Sequence, residues 1–203
     1  MLTALEIVTF DDAPPPPGAS PLVPGQRPAT DLRVVETNPS WPEQYARLAD
    51  LITTTLGDSA LSLEHVGSTA VPGLPAKPVI DIDLTVADSR DEQGYVPALG
   101  RCGFALAVRE PWWYEHRCLR RQGPACNLHV FSPDCAEAER HRIFRDWLRS
   151  HPADRALYAN AKRAAAEQTI HLGGDTMAYN ARKEAVLREI YDRAFHALGL
   201  LAA

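Results

Sequence analysis

The sequence predicts an α+β domain, a mixed β-sheet followed by a C-terminal helical cap. Three observations carry this. Short segments rich in β-branched and apolar residues lie between Leu61 and Phe131, each bounded by Gly, Pro or Asp signals. From Ser132 onward the pattern is helical throughout, so strands and cap are segregated along the chain. The length of 203 residues, with 45% hydrophobic and 23% charged, suits one domain with a sizeable core.

Each element has its own signal. Residues 1–31 read as a flexible, Pro-rich tail. Asp11-Asp12-Ala13 runs into Pro14 to Pro17, then Gly18, Pro21, Pro24, Gly25 and Pro28, a composition that neither propagates a helix nor pairs as a strand. This tail is expected to be dispensable for the fold, and residues 32–203 to form the single domain. Arg33 to Glu36 suits a short strand. Asn38-Pro39-Ser40 opens a helix bearing Trp41, Tyr45, Leu48, Leu51 and Ile52 at helical spacing, stopped by Gly57. Leu61 to Val66 and Val79 to Val86 read as strands joined by a Pro/Gly-rich loop, and Asp88 to Leu99 as a helix. Extended segments follow near Phe104 to Arg109, Trp112 to Arg120 and Asn127 to Phe131. In the cap, Ser132-Pro133 opens a helix to Arg149, Pro152 a second and Asp175 a third. Trp41, Phe144 and Trp147 are expected wholly or largely in the core on the apolar faces of their helices.

Charge and composition narrow the function classes. A net charge of −5 gives no overall basic field, which argues against general nucleic-acid binding and leaves a local basic pocket open. No apolar run approaches the roughly 20 residues that cross a bilayer, and the N-terminus has no basic start with an apolar stretch, so a cytoplasmic protein without membrane association is expected. Cys102, Cys118, Cys126 and Cys135 form no C-x-x-C pair and read as buried, reduced thiols.

The chemistry concentrates in His65 to Val86. Side chains alternate along a strand, so Asp81 and Asp83 share one face while Ile80, Ile82 and Leu84 point into the core. Two carboxylates side by side repel each other unless water or a divalent cation relieves them, and Mg²⁺ with oxygen ligands suits such a pair beside nucleotide phosphates. The alternative is that both merely solvate an exposed strand. Gly67-Ser68 precedes Asp81 with twelve residues between Ser68 and Asp81. A glycine turn lets backbone N–H groups approach phosphate oxygens. A Gly-Ser turn followed by an Asp-x-Asp strand is the general nucleotidyltransferase pattern.

These residues also resemble a known family. Glu64 to Leu74 and Lys77 to Ile82 are similar to the signature of the GrpB family, a nucleotidyltransferase-fold group. Asn38 to Pro42, Leu128 to Phe131, Glu139 to His141, Phe144 to Arg149, His151-Pro152, Tyr179 and Lys183 agree with it, so the resemblance covers about residues 33 to 195. A similar domain occurs fused behind bacterial dephospho-CoA kinases, where it is credited with helping the kinase fold. This chain has no G-x-x-x-x-G-K-[ST], so it is not expected to be that kinase itself. The family tolerates other residues at the position of Asp83. Active nucleotidyltransferases usually carry a third carboxylate on a later strand, where this chain offers His129, flanked by Asn127. His129 can serve as base, metal ligand or structural histidine.

Basic side chains complete the candidate site. Arg117, Arg120 and Arg121 lie near a presumed hairpin, where they could meet a triphosphate or simply solvate the surface. Lys183 extends the stripe of Leu187 and Ile190, and Arg140 that of Phe144 and Trp147, so either could reach a cleft over the sheet. His116, His141, His151, His171 and His196 form no metal spacing.

Two functions stand side by side. In the first, the chain is a Mg²⁺-dependent nucleotidyltransferase acting on a small molecule. Asp81 and Asp83 hold the metal, Gly67, Ser68, Arg117, Arg140 and Lys183 the nucleotide phosphates, and Asp81, Asp83 and His129 are catalytic. In the second, it is a non-catalytic module of the same fold that binds a protein partner or assists its folding.

Overall fold

The computed structural model describes residues 2–11 and 15–201. Five strands, β1 (Ser62–Val66), β2 (Ile80–Thr85), β3 (Phe104–Glu110), β4 (His116–Arg121) and β5 (Cys126–Phe131), form one sheet in the order β1-β2-β5-β4-β3. Only β2 and β5 run parallel; the other pairs are antiparallel. Among the described residues the α-helices are α1 (Ala4–Val8), α2 (Trp41–Leu56), α3 (Glu92–Arg101), α4 (Ala136–Ser150), α5 (Pro152–His171) and α6 (Thr176–Ala197). The α+β reading, with a mixed sheet and a helical cap, holds.

The two faces of the sheet differ as the alternation in β2 requires. Ile80, Ile82 and Leu84 are sealed against Trp41, Leu48 and Ile52 of α2 and Tyr95 and Leu99 of α3. Burial of that apolar face, at about 25 cal/mol per Å², is the main force holding the sheet to these two helices. The opposite face carries Asp81 and Asp83 and lies under the cap. Asp175 caps α6 by accepting from the N–H groups of Met177 and Ala178, and Pro152 occupies the first turn of α5.

Several boundaries shift. The strand expected at Arg33 to Glu36 reduces to one bridge, Val35 to Ala76. Trp112 to Glu115 form a turn, not strand, with Tyr114 and Glu115 at φ of 51° and 48°. Helix α3 starts at Glu92 and α4 at Ala136, after Asp134 at φ 55°. Trp41 is 2% exposed, as expected. Phe144 and Trp147 are only half-buried, because Trp147 sits where α4 meets α5, stacked on the His151 ring.

The N-terminal segment is not free in this structure. Residues 4–8 form α1 behind a Thr3–Glu6 capping box, and Ile7 packs with Ile143, Tyr191 and Phe195. Farther on, Val23 donates to the Ala107 carbonyl and Arg109 to the Pro21 carbonyl, so residues 21–23 cover the edge of β3. Thr176 reaches back to the Ala29 carbonyl. Composition showed that these residues could not build a core. It could not show that they lean on one built elsewhere. Asp12, Ala13 and Pro14, also assigned to the tail, lie outside the described residues.

Candidate functional site

A cavity of about 450 Å³ lies between the polar face of the sheet and the cap, and Gly67, Ser68, Asp81, His129 and Lys183 all line it. At its floor the Gly67-Ser68 turn packs directly on β2. Gly67 has φ +67°, and a β-carbon there would lie 2.5 Å from Asp81 Oδ2. Glycine is required twice over, for its left-handed backbone and for contact with the carboxylate.

The register of β2 and β5 sets Asn127 beside Asp81 and His129 beside Asp83. Asn127 Nδ2 donates to Asp81 Oδ1 at 2.8 Å, and His129 Nε2 stands 3.9 Å from the same oxygen. Burial alone would raise the Asp81 carboxyl, but the facing His129 ring, the hydrogen bond from Asn127 and the nearby Lys77 outweigh it and hold it low. Asp81 therefore faces the cavity as an anion.

Asp83 behaves differently. It is 4% exposed, so the reading of both acids as a solvated strand face does not describe it. Its Oδ2 pairs with His141 Nδ1 at 2.9 Å, and His141 Nε2 lies 3.4 Å from Glu137 Oε1. Burial opposes charge on His141, yet the facing carboxylates of Asp83 and Glu137 hold its pKa well above the ordinary value. Glu137 is raised by burial but pulled down to about 2 overall by His141 and Arg140. The second acid of the pair is thus balanced by an imidazolium from α4. Asp83 Oδ1 is buried with no hydrogen-bond partner.

A second histidine chain ends at the cavity. His116 Nδ1 meets Glu110 Oε2 at 2.8 Å, and His116 Nε2 meets His129 Nδ1 at 3.0 Å. Burial lowers His116 to about 4 despite Glu110, so it is neutral. With Glu110 accepting from Nδ1, His116 accepts at Nε2 from His129 Nδ1–H. In its neutral form His129 then presents a bare Nε2 to the cavity, and in its protonated form an Nε2–H toward Asp81. His116 and His141 were missed in the sequence because no short spacing links them to His129. Cys118 pairs with His129, so His116, two residues before it on β4, shares that face; cross-strand register supplies the neighbour.

Not every expected phosphate contact is in the cavity. Arg117 is turned to Glu92, at 2.6 Å, and to the carbonyls of Glu115 and His116. Arg140 is 0% exposed and spends its donors on Glu137, Tyr114 and the carbonyls of Glu6, Ile7 and Thr9. Both are structural cations here, because backbone carbonyls and nearby acids already fill their forks. Arg121 likewise serves the Cys102 and Gly123 carbonyls. Arg120 lines the cavity while donating to the Arg27 carbonyl.

Comparison with known proteins agrees with this geometry. Residues 31–193 match the family described as GrpB protein. The chain belongs to the GrpB family. A UPF0157 protein of Halalkalibacterium halodurans is 45% identical over 163 residues, 80% of this GrpB chain and 82% of that protein. A dephospho-CoA kinase of Mycolicibacterium paratuberculosis is 31% identical over 190 residues, 81% of this chain but 46% of the kinase. The crystal structure of the conserved protein GrpB from Enterococcus faecalis superposes with a TM-score of 0.72 at 28% identity, covering 82% of this chain and 99% of that one. The GrpB fold here is thus the nucleotidyltransferase-like α+β arrangement expected from Gly67-Ser68 and Asp81.

Four thiols are free, Cys118 and Cys126 buried and Cys102 and Cys135 half-buried. Among the described residues no helix is long and apolar enough to cross a membrane. Among them also, no three His, Cys, Asp or Glu side chains group to hold a metal by themselves.

Proposed function

We propose that this GrpB chain is a Mg²⁺-dependent nucleotidyltransferase acting on a small-molecule acceptor in the cavity between sheet and cap. The observation that carries the reading is the contact of Gly67 with Asp81 at the cavity floor. It sets a residue with no side chain of its own against an ionised carboxylate, where a phosphate chain together with its cation can approach both.

Magnesium is commonly held by one or two carboxylates together with substrate phosphates, so a ligand group of three is not required. Asp81 would hold it from the cavity, and Asp83, which lies behind the lining and pairs through Oδ2 with His141, would join through its unpartnered Oδ1. When bound, the ion supplies charge neutralisation for the phosphates. The protein's own part is orientation and proton transfer. Glu110 orients His116, His116 orients His129, and the bare His129 Nε2 accepts the proton of the acceptor hydroxyl. The acceptor oxygen bonds to the α-phosphorus while the bond to the bridging oxygen breaks, and pyrophosphate leaves with that electron pair.

The test is calorimetry with ATP, CTP, GTP and UTP, each with and without Mg²⁺, on wild type and Asp81→Asn. Tighter binding with Mg²⁺ that Asp81→Asn abolishes supports the transferase. No binding of any of the four would sink it. A second reading, a module that binds a protein partner, is favoured by the similarity to less than half of a dephospho-CoA kinase chain. Retained partner capture by Asp81→Asn, with no nucleotide bound by wild type, would support that reading instead.

A further inference from the structure

Beside Asp81 in the cavity stand three lysines from three separate elements. Lys77 comes from the loop before β2, Lys162 from α5 and Lys183 from α6, and all three line the cavity. Their surroundings keep the ammonium groups without cancelling their charge. Lys77 Nζ lies 5.0 Å from the Tyr179 ring centroid, Lys162 Nζ 5.2 Å from that of Tyr158, and Lys183 Nζ 5.7 and 5.5 Å from those of Tyr158 and Tyr179. Aromatic faces attract a cation but remove none of its charge. Among the described residues no ion pair joins any of the three to a carboxylate. Asp81 is the carboxylate whose field reaches all of them.

Lys162 is the decisive member. Its side chain is 2% exposed, and its Nζ has no hydrogen-bond partner. An ammonium withdrawn from water with no acceptor is costly, and two like charges nearby add to the cost. Such an arrangement persists where a bound anion completes it, since binding energy gained there offsets stability lost in the free protein.

We infer that Lys77, Lys162 and Lys183 form a seat for an oligophosphate chain, two or three linked phosphoryl groups, in the cavity. This rests on the nucleotidyltransferase reading for its place in the reaction, where the seat takes the phosphates that leave as pyrophosphate. It does not rest on that reading for its existence. Three ammonium groups call for about three negative charges; a single phosphoryl group carries about −1.5 to −2 near neutrality, whereas two linked groups match the seat. Burial lowers Lys162 to about 7, so an arriving polyanion also finds this lysine ready to take up a proton near neutrality.

Calorimetry without Mg²⁺ tests the seat, using orthophosphate, pyrophosphate, tripolyphosphate and ATP on wild type, Lys162→Met and Lys183→Met. Wild type is expected to bind pyrophosphate and tripolyphosphate at least tenfold more tightly than orthophosphate. Each substitution should weaken that binding at least tenfold, while ligand-free Lys162→Met melts at or above the wild-type temperature. ATP tighter than tripolyphosphate identifies a nucleotide as the source, and equal affinities a free oligophosphate. Wild type binding none of the four, or both variants binding like wild type, would overturn the inference. Lysine-dependent binding that ignores Mg²⁺ and Asp81→Asn sinks the transferase and leaves the seat standing. Mg²⁺-dependent nucleotide binding that ignores the lysines does the reverse.

Discussion

Gly67 and Asp81 meet backbone to carboxylate, so closely that residue 67 has no room for a β-carbon. Gly67→Ala therefore adds a methyl group 2.5 Å from Asp81 Oδ2 at a left-handed φ of +67°. The expected cost is about 1–3 kcal/mol, from backbone strain and displacement of the carboxylate. Urea denaturation measures it. An unchanged midpoint would show that the turn relaxes freely away from β2.

Arg140 and the N-terminal segment depend on each other. The guanidinium is wholly buried and donates to the Glu6, Ile7 and Thr9 carbonyls, 2.9 to 3.2 Å away. Removing residues 1–11 leaves a buried cation short of acceptors and strips the cover from Phe195 and Tyr191. The loss should be about 3 kcal/mol or more. A truncated chain as stable as the full one would restore the free-tail expectation.

The tryptophans should separate. Trp41, 2% exposed under the sheet, should cost about 3–5 kcal/mol as Trp41→Ala, and Trp147, half-buried on His151, clearly less. Acrylamide quenching of single-tryptophan variants offers an independent check. Trp41 quenched as readily as Trp147 would contradict the placement.

Lys162 gives stability a signed pH dependence. Burial, together with the charges of Lys183, Lys77 and Arg163 and against that of Asp81, lowers its pKa from 10.5 to about 7, with Tyr158 packed on the amine. Between those two values the unfolded chain binds more protons than the folded one, so this group makes folding stability rise with pH. Lys162→Met should therefore exceed wild type most at or below pH 7, with the difference shrinking toward pH 10.5. Denaturation curves across that range read it directly. A difference independent of pH would mean that Lys162 titrates as it does in water.

For the proposed transfer, His129→Gln should lower kcat about 10²- to 10⁴-fold, the usual worth of a general base, with little change in nucleotide affinity. Loss of affinity with kcat preserved would make His129 a binding group rather than a base.

Much of this protein is legible in its sequence because the signals are local. Strand alternation placed Asp81 and Asp83 on one face and Ile80, Ile82 and Leu84 on the other. Pro152 and Asp175 marked helix starts by cap chemistry, and Gly67-Ser68 announced a turn beside β2. None of these needs a distant partner. The tertiary structure alone decided which histidines converge, since His116 reaches His129 through the β4–β5 register and His141 reaches Asp83 from a cap helix. It also decided that Arg140 and Arg117 are consumed by structure and that Lys77 and Lys162 face the site. A long cation at helical spacing can snorkel, pair or enter a cleft. Which it does depends on the acceptors that other elements bring within reach, and that is settled only when the cap docks on the sheet.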